Sequence, residues 1–224
     1  MPFANRIEAG RRLAQALIRY ARDRVVVLAL PRGGVPVAAE VASALPAPLD
    51  LVLVRKIGYP RQPELAMGAV VDGADPIIVR NEDVIRITGV SEAEFDEVCK
   101  QELAEIERRR SRYLGSRAPI ELLGRTAIVI DDGLATGATM RAALRALRKR
   151  SPAKIVLAVP VAPSETIDAM RGEADDIVCL EAFDFFGAIG AYYSDFRQVS
   201  DDELIDALAR HGEPAATPAE KREG

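Results

Sequence analysis

Residues 127–139 read "AIVIDDGLATGAT", and the rest of the chain can be ordered around them. An apolar run meets two adjacent carboxylates, Asp131 and Asp132, and then a turn of glycines and threonines that opens onto a helical pattern. A short, continuous β-branched run is the pattern of a strand buried on both faces. The unit therefore reads as strand, turn, helix. In a parallel sheet its turn would lie at the carboxyl end of the strand, where binding crevices form.

The same grammar recurs on both sides. "VVVLAL" at 25–30 is a buried strand followed by Pro31, "RGG" and the helix-like "VPVAAEVASAL". "LDLVLV" at 49–54 is a second strand, succeeded by Arg55 and Lys56. Strands at 154–159 and 176–180 alternate with helices at 138–149 and 164–171. Strands alternating with helices predict an α/β fold, a mostly parallel sheet flanked by helices on both faces. Ile7, Leu13, Leu17 and Tyr20 fall near helical spacing, which predicts an amphipathic N-terminal helix. "SEAEFDEVCKQELAEIERRRSRY", 91–113, begins with Ser91 three residues before Glu94 and ends in arginines, a long helix with a capping box and a favourable charge order. "IGYPRQPELAMG", 57–68, shows neither period and reads as a loop, whereas "AVVDGADPIIV" reads as a hairpin about Asp72-Gly73.

Composition bounds the rest. The 224 residues suit one domain, expected over 1–211, with the polar "EPAATPAEKREG" at the end read as a disordered tail over 212–224. A formal net charge of -4 gives no overall basic footprint, so no nucleic-acid partner is expected. No apolar run is long enough to span a bilayer, and the N-terminus lacks a signal-peptide core, which together predict no membrane partner and a cytoplasmic protein. Cys99 and Cys179 form no C-x-x-C pair and read as buried thiols.

The chemistry concentrates at 131–139. The turn Ala135, Thr136, Gly137, Ala138, Thr139 offers backbone N–H groups at a helix N-terminus, with two hydroxyls beside them, and an ionised phosphate needs donors only. The carboxylates repel such a phosphate; they suit sugar hydroxyls or a hydrated divalent metal. Together they describe ribose 5-phosphate. No lysine follows the turn as in a Walker A loop, and no G-x-G-x-x-G is present in 128–139. The plainer alternative is that an acidic pair ends a strand and a glycine turn connects it to the next helix. Arg108, Arg109, Arg110 and Arg112 could grip a phosphate, but such a run is more often a solvated helix end.

Residues 127–139 resemble the signature of the type I phosphoribosyltransferases: apolar residues, two acidic residues and a glycine-threonine loop. The resemblance implies a core of that type with a small hood, drawn here from about 181–211 and from the N-terminus. It implies transfer of the 5-phosphoribosyl group of phosphoribosyl pyrophosphate (PRPP) to a nitrogenous acceptor, a nucleobase above all, with release of pyrophosphate. Asp131 and Asp132 would hold the ribose hydroxyls and, through water, Mg2+; Ala135 to Thr139 would cradle the 5-phosphate. The family's pyrophosphate loop, often carrying a cis peptide, corresponds to "LPRGG", hence Arg32, Gly33 and Gly34, with Arg55 and Lys56 as further pyrophosphate-binding cations that would act in catalysis together with Asp131 and Asp132. Residues 57–68 correspond to its mobile loop, without the lysines and histidine of the orotate enzymes. "LPRGGVPVA", "QPELAMGAV" and "SDFRQVSDDEL" resemble a bacterial subgroup whose acceptor is unassigned. Phe183 to Phe196 would form an acceptor hood or pack a core. PRPP and a small-molecule acceptor are the partners implied, with a homodimer as the common assembly. The rival reading is a PRPP- or nucleotide-sensing regulator without turnover.

Overall fold

The structure is a computed structural model that describes residues 3–73 and 76–211. The tail expected at 212–224 lies outside the described residues. Five parallel strands form the main sheet: β1 (Val25–Ala29), β2 (Leu49–Leu51), β6 (Thr126–Ile130), β7 (Lys154–Pro163) and β8 (Asp176–Phe183), in the order β2-β1-β6-β7-β8. A second, antiparallel sheet has the order β3-β4-β5, from Val54–Tyr59, Gln62–Val71 and Ile77–Arg80. The chain is α/β, as expected.

Alternation along the strands builds the layers. Val25, Val27, Ala29, Ile128, Ile130, Val156 and Ala158 enter one core; Val26, Leu28, Ala127, Val129, Ile155, Leu157 and Val159 enter the other. On the first face lie α1 (Arg6–Leu17), α2 (Gly34–Ala44), α4 (Glu92–Leu114) and α7 (Asp201–Arg210); on the second lie α5 (Ala138–Arg148) and α6 (Ser164–Met170). The short α3 (Glu82–Thr88) packs beside β4. Leu13, Leu17 and Tyr20 are buried as their spacing predicts, but Ile7 is 44% exposed, because it precedes the stripe that faces the sheet. The long helix begins where the sequence places it, with Ser91 and Glu94 closing a capping box. Cys99 is buried and Cys179 partly so; both are free thiols. His211 caps α7 and is satisfied by Ser43 Oγ and Ala207 O.

Two expectations are corrected. The segment 57–68 is strand on both sides of a turn at Pro60-Arg61, with Ile57 and Met67 fully buried. Register shifts at Ile57/Gly58 and Gly58/Tyr59 break the alternation, which is why no period of two survives in the sequence. The run 49–54 is likewise not one strand. β2 ends at Leu51, the chain crosses to the second sheet, and Arg55 and Lys56 lie inside β3. The predicted hairpin about Asp72-Gly73 corresponds to the antiparallel pairing of β4 with β5.

Asp72 secures that crossing. Its carboxylate accepts the Leu53 N–H at 2.8 Å, its own N–H donates to Leu53 O, and Arg110 stands 3.5 Å away. Burial pushes its carboxyl up to about 6, against the Leu53 bond and Arg110. A carboxyl raised in the folded state binds protons more readily there than unfolded, so its contribution to stability falls as pH rises through that window. Urea unfolding of the parent and Asp72→Asn between pH 4 and pH 7 is expected to show the variant gaining on the parent by on the order of 2 kcal/mol up to about pH 6, then no further change. A flat difference would mean that Asp72 stays charged throughout.

Candidate active site

The strand order reverses between β1 and β6: from β1 the chain proceeds to β2 on one side, while β6 and its successors lie on the other. That switch point leaves a crevice at the carboxyl ends of β1 and β6, and both predicted loops open there. After β1 the Pro31–Arg32 peptide is cis, as the family resemblance implies. Gly33 and Gly34 then press on the loop that follows β6. A Cβ on Gly33 would overlap the Asp132 carboxylate, and one on Gly34 would lie 2.7 Å from Ile130 O and 2.9 Å from Asp131 Cα. Only glycine permits this approach.

Asp132 is buried and paired: Arg6 reaches it from the start of α1, with Nη2 at 2.7 Å and Nε at 2.8 Å from Oδ2. Arg6 also donates to Arg197 O at 2.8 Å and lies over the Phe196 ring, 3.9 Å from its centroid. The Tyr193 hydroxyl donates to Asp132 O at 2.5 Å. Burial, and then the Asp132 charge, hold that phenol well above its usual range. Asp131 accepts the Asp132 N–H at 2.8 Å. Burial and the neighbouring Asp132 carboxylate push Asp131 well above the ordinary carboxylate range.

The predicted phosphate turn opens α5. Gly137 has φ 71°, and a Cβ there would lie 2.5 Å from Met170 Cε, so α6 shapes the turn from behind. Thr166 donates to Ala135 O at 2.7 Å and pins its other end. Ala135, Thr136, Ala138 and Thr139 are exposed, and the first-turn N–H groups of α5 have no intrahelical acceptor by helix geometry. Beside the turn lies a cleft of about 970 Å³, bounded by Thr136, Glu165, Thr166, Asp184, Phe185 and Phe186 among others. Phe183 and Phe186 each stack on Tyr192, while Phe185 is 96% exposed. The N-terminus joins this aromatic region: the Phe3 N–H donates to Tyr192 O at 2.7 Å, and the Ser194 N–H donates to Phe3 O at 2.8 Å.

The cations divide. Arg32 extends toward Asp201 at the start of α7, 3.4 Å away, an acid shared with Arg112 and Tyr113. Arg55 is held by Glu102 of α4 at 2.6 Å and shares a small cavity with Pro31 and Thr139. Lys56 is not brought to the acidic pair in this conformation; it pairs with Glu64 across the hairpin at 3.0 Å and borders a separate cleft between hairpin and α4. Arg6 escaped sequence reasoning, and Tyr193 and Asp201 entered it only as members of longer stretches, 183–196 and 194–204. Arg6 lies 126 residues from its partner, and nothing in its local pattern separates it from the solvated arginines of α1.

Fold and site together define an α/β protein with a glycine-threonine turn at a helix N-terminus and an acidic pair at its switch point, a layout suited to a phosphorylated ligand bearing free hydroxyls. The family profile of the phosphoribosyl transferase domain matches residues 3–197, and the chain belongs to that family. A Mycobacterium tuberculosis protein provisionally named a phosphoribosyl transferase, Rv0571c in strain H37Rv, is 48% identical over 208 residues, which cover 93% of this chain and 46% of that relative. The chain thus spans about half the length of that relative. The crystal structure of TT1426 from Thermus thermophilus superposes with a TM-score of 0.83 at 38% identity, covering 95% of this chain and all of that one.

Removing the Arg6 guanidinium would leave the Asp132 carboxylate buried without its cation. Arg6→Ala is expected to lower stability by about 3 kcal/mol in urea unfolding, and adding Asp132→Asn to recover part of that loss. Additive losses would show that the two side chains act independently.

Proposed function

We propose that the chain transfers the 5-phosphoribosyl group of PRPP to a nitrogenous acceptor, a nucleobase above all, and releases pyrophosphate. The observation that carries this reading is the contact of the β1 glycine loop with the acidic pair beside an anion turn at one switch point. The 5-phosphate would sit on the N–H groups of Ala135 to Thr139, with Thr136 and Thr139 as hydroxyl donors. Asp131, the less buried of the pair, would accept from the ribose hydroxyls, and Asp132, fixed by Arg6, would support it. The backbone of Gly33-Gly34 allows close approach of the pyrophosphate, and Arg32 and Arg55 supply charge. Lys56 would add to that charge only after the hairpin moves.

A magnesium ion fits the donor set. Two adjacent carboxylates, one already committed to Arg6, suit an ion that keeps waters and arrives on substrate phosphates better than one caged by protein. Bound there, Mg2+ would offset charge on the pyrophosphate, with Asp131 and Asp132 reached through water. The chain's own residues orient the ribose, offset the leaving group's charge with guanidinium, and place the acceptor against the anomeric carbon. As the carbon–oxygen bond to pyrophosphate breaks, a carbon–nitrogen bond to the acceptor forms, and the acceptor proton departs to solvent or a neighbouring carboxylate. The acceptor would occupy the cleft beneath Phe185 and Phe186, where an exposed ring offers a face to a flat base.

The test is pyrophosphate release from Mg-PRPP with pooled purines, pooled pyrimidines or no acceptor. Release dependent on one pool, and lowered by about a hundredfold or more in Asp131→Asn, is the expected result. PRPP binding without release from any pool would favour the sensing role.

A further inference from the structure

We propose that Arg109 of α4 is a further pyrophosphate-binding residue, lying outside both strand-end loops and contributed by the long helix instead. The proposal rests on the PRPP reading above and locates one more of its contacts.

Helical geometry sorts the arginine run. Arg108 is 60% exposed and lies on Glu105. Arg110 turns inward to Asp72, and Arg112 goes to Asp201, the acid that also receives Arg32. Arg109 is 34% exposed and borders the small cavity formed by Leu30, Pro31, Val54, Arg55 and Thr139. Three parts of the anion site meet there: Pro31 from the β1 loop, Thr139 from the phosphate turn and Arg55 from β3.

Two guanidiniums do not share a cavity without reason, because like charges repel. Here each is aimed by its own carboxylate on α4. Glu102 receives Arg55 Nε at 2.6 Å, and Glu105 receives Arg109 Nε at 2.7 Å. Both bonds use Nε, so among the described residues the Nη edges of both guanidiniums have no protein acceptor. Glu102, Glu105, Arg109 and Arg112 recur at steps of three and four, one stripe of the helix. Arg108 shares Glu105 but turns to solvent and does not border the cavity, which leaves Arg55 and Arg109 as the guanidiniums that do. A pyrophosphate, with several negative charges and acceptors only, is the ligand class this arrangement suits, and a guanidinium fork matches its oxygens.

The experiment is titration calorimetry of Mg-pyrophosphate, Mg-PRPP and ribose 5-phosphate on the parent, Arg109→Ala, Arg109→Lys and Arg108→Ala. Arg109→Ala is expected to weaken pyrophosphate and PRPP by about tenfold or more and ribose 5-phosphate by less than about twofold, with Arg108→Ala near the parent for all three. Arg109→Lys, keeping charge but losing the fork, should fall between. Parent-like pyrophosphate binding by Arg109→Ala overturns the proposal, as does an equal loss in Arg108→Ala, which would reflect general charge. If circular dichroism shows that Arg109→Ala has lost its helix, Arg109→Lys and Arg109→Gln carry the same comparison. A parent that binds PRPP no more tightly than ribose 5-phosphate overturns the PRPP reading itself, whereas a parent that prefers PRPP with an unaffected Arg109→Ala removes Arg109 alone.

Discussion

The close approach of Gly33 to the Asp132 carboxylate is the constraint on which the rest of the structure depends. It joins the loops after β1 and β6 at the one place where the sheet changes direction. A buried carboxylate needs a cation, and that need draws Arg6, and with it the first turn of α1, to the sheet edge. Arg6 in turn fixes Phe196 and Arg197, so the aromatic region is positioned by the same charge. Asp131 is the less enclosed of the two carboxylates, and burial beside a second acid holds its proton more tightly than usual.

The second sheet has a different task. It does not extend the parallel core; it carries Arg55 away from the end of β2 and returns it to the crevice against α4. The long helix thereby borders the small cavity between the two strand-end loops, and its Glu102 and Glu105 set the direction of Arg55 and Arg109. Charge on α4 that looks like a solvated surface in one dimension is divided in three dimensions between exposed positions, buried ones and one that borders the cavity of Pro31 and Thr139.

Local chemistry made much of this legible. Buried parallel strands announce themselves as β-branched runs, and the placing of the acidic pair and the glycine-threonine turn between strand and helix follows from that pattern alone. The capping box of Ser91 and Glu94 was equally plain. What stayed hidden was non-local or irregular. Bulges at Ile57 to Tyr59 erased the alternation that would have marked β3 and β4 as strands. The pairing of Arg6 with Asp132 has no signature near either residue, and the sequence alone could not show that Lys56 would turn to Glu64. The aromatic segment proved to be divided, with Phe183 and Phe186 stacked on Tyr192 and Phe185 open to the cleft.

The span of the Arg6 contacts bears on how the protein is made. Asp132 meets a guanidinium 126 positions earlier in the chain, and that guanidinium is itself clamped by a carbonyl 191 positions later. Closing such loops is among the later and slower events of folding, since long-range contacts bear their entropy cost before they gain their energy. A ribosome must therefore deliver residue 197 before the acidic pair acquires its final surroundings. The emerging chain carries its carboxylates and its glycine turn early, but the pocket around them is finished only when the two ends of the domain have found each other.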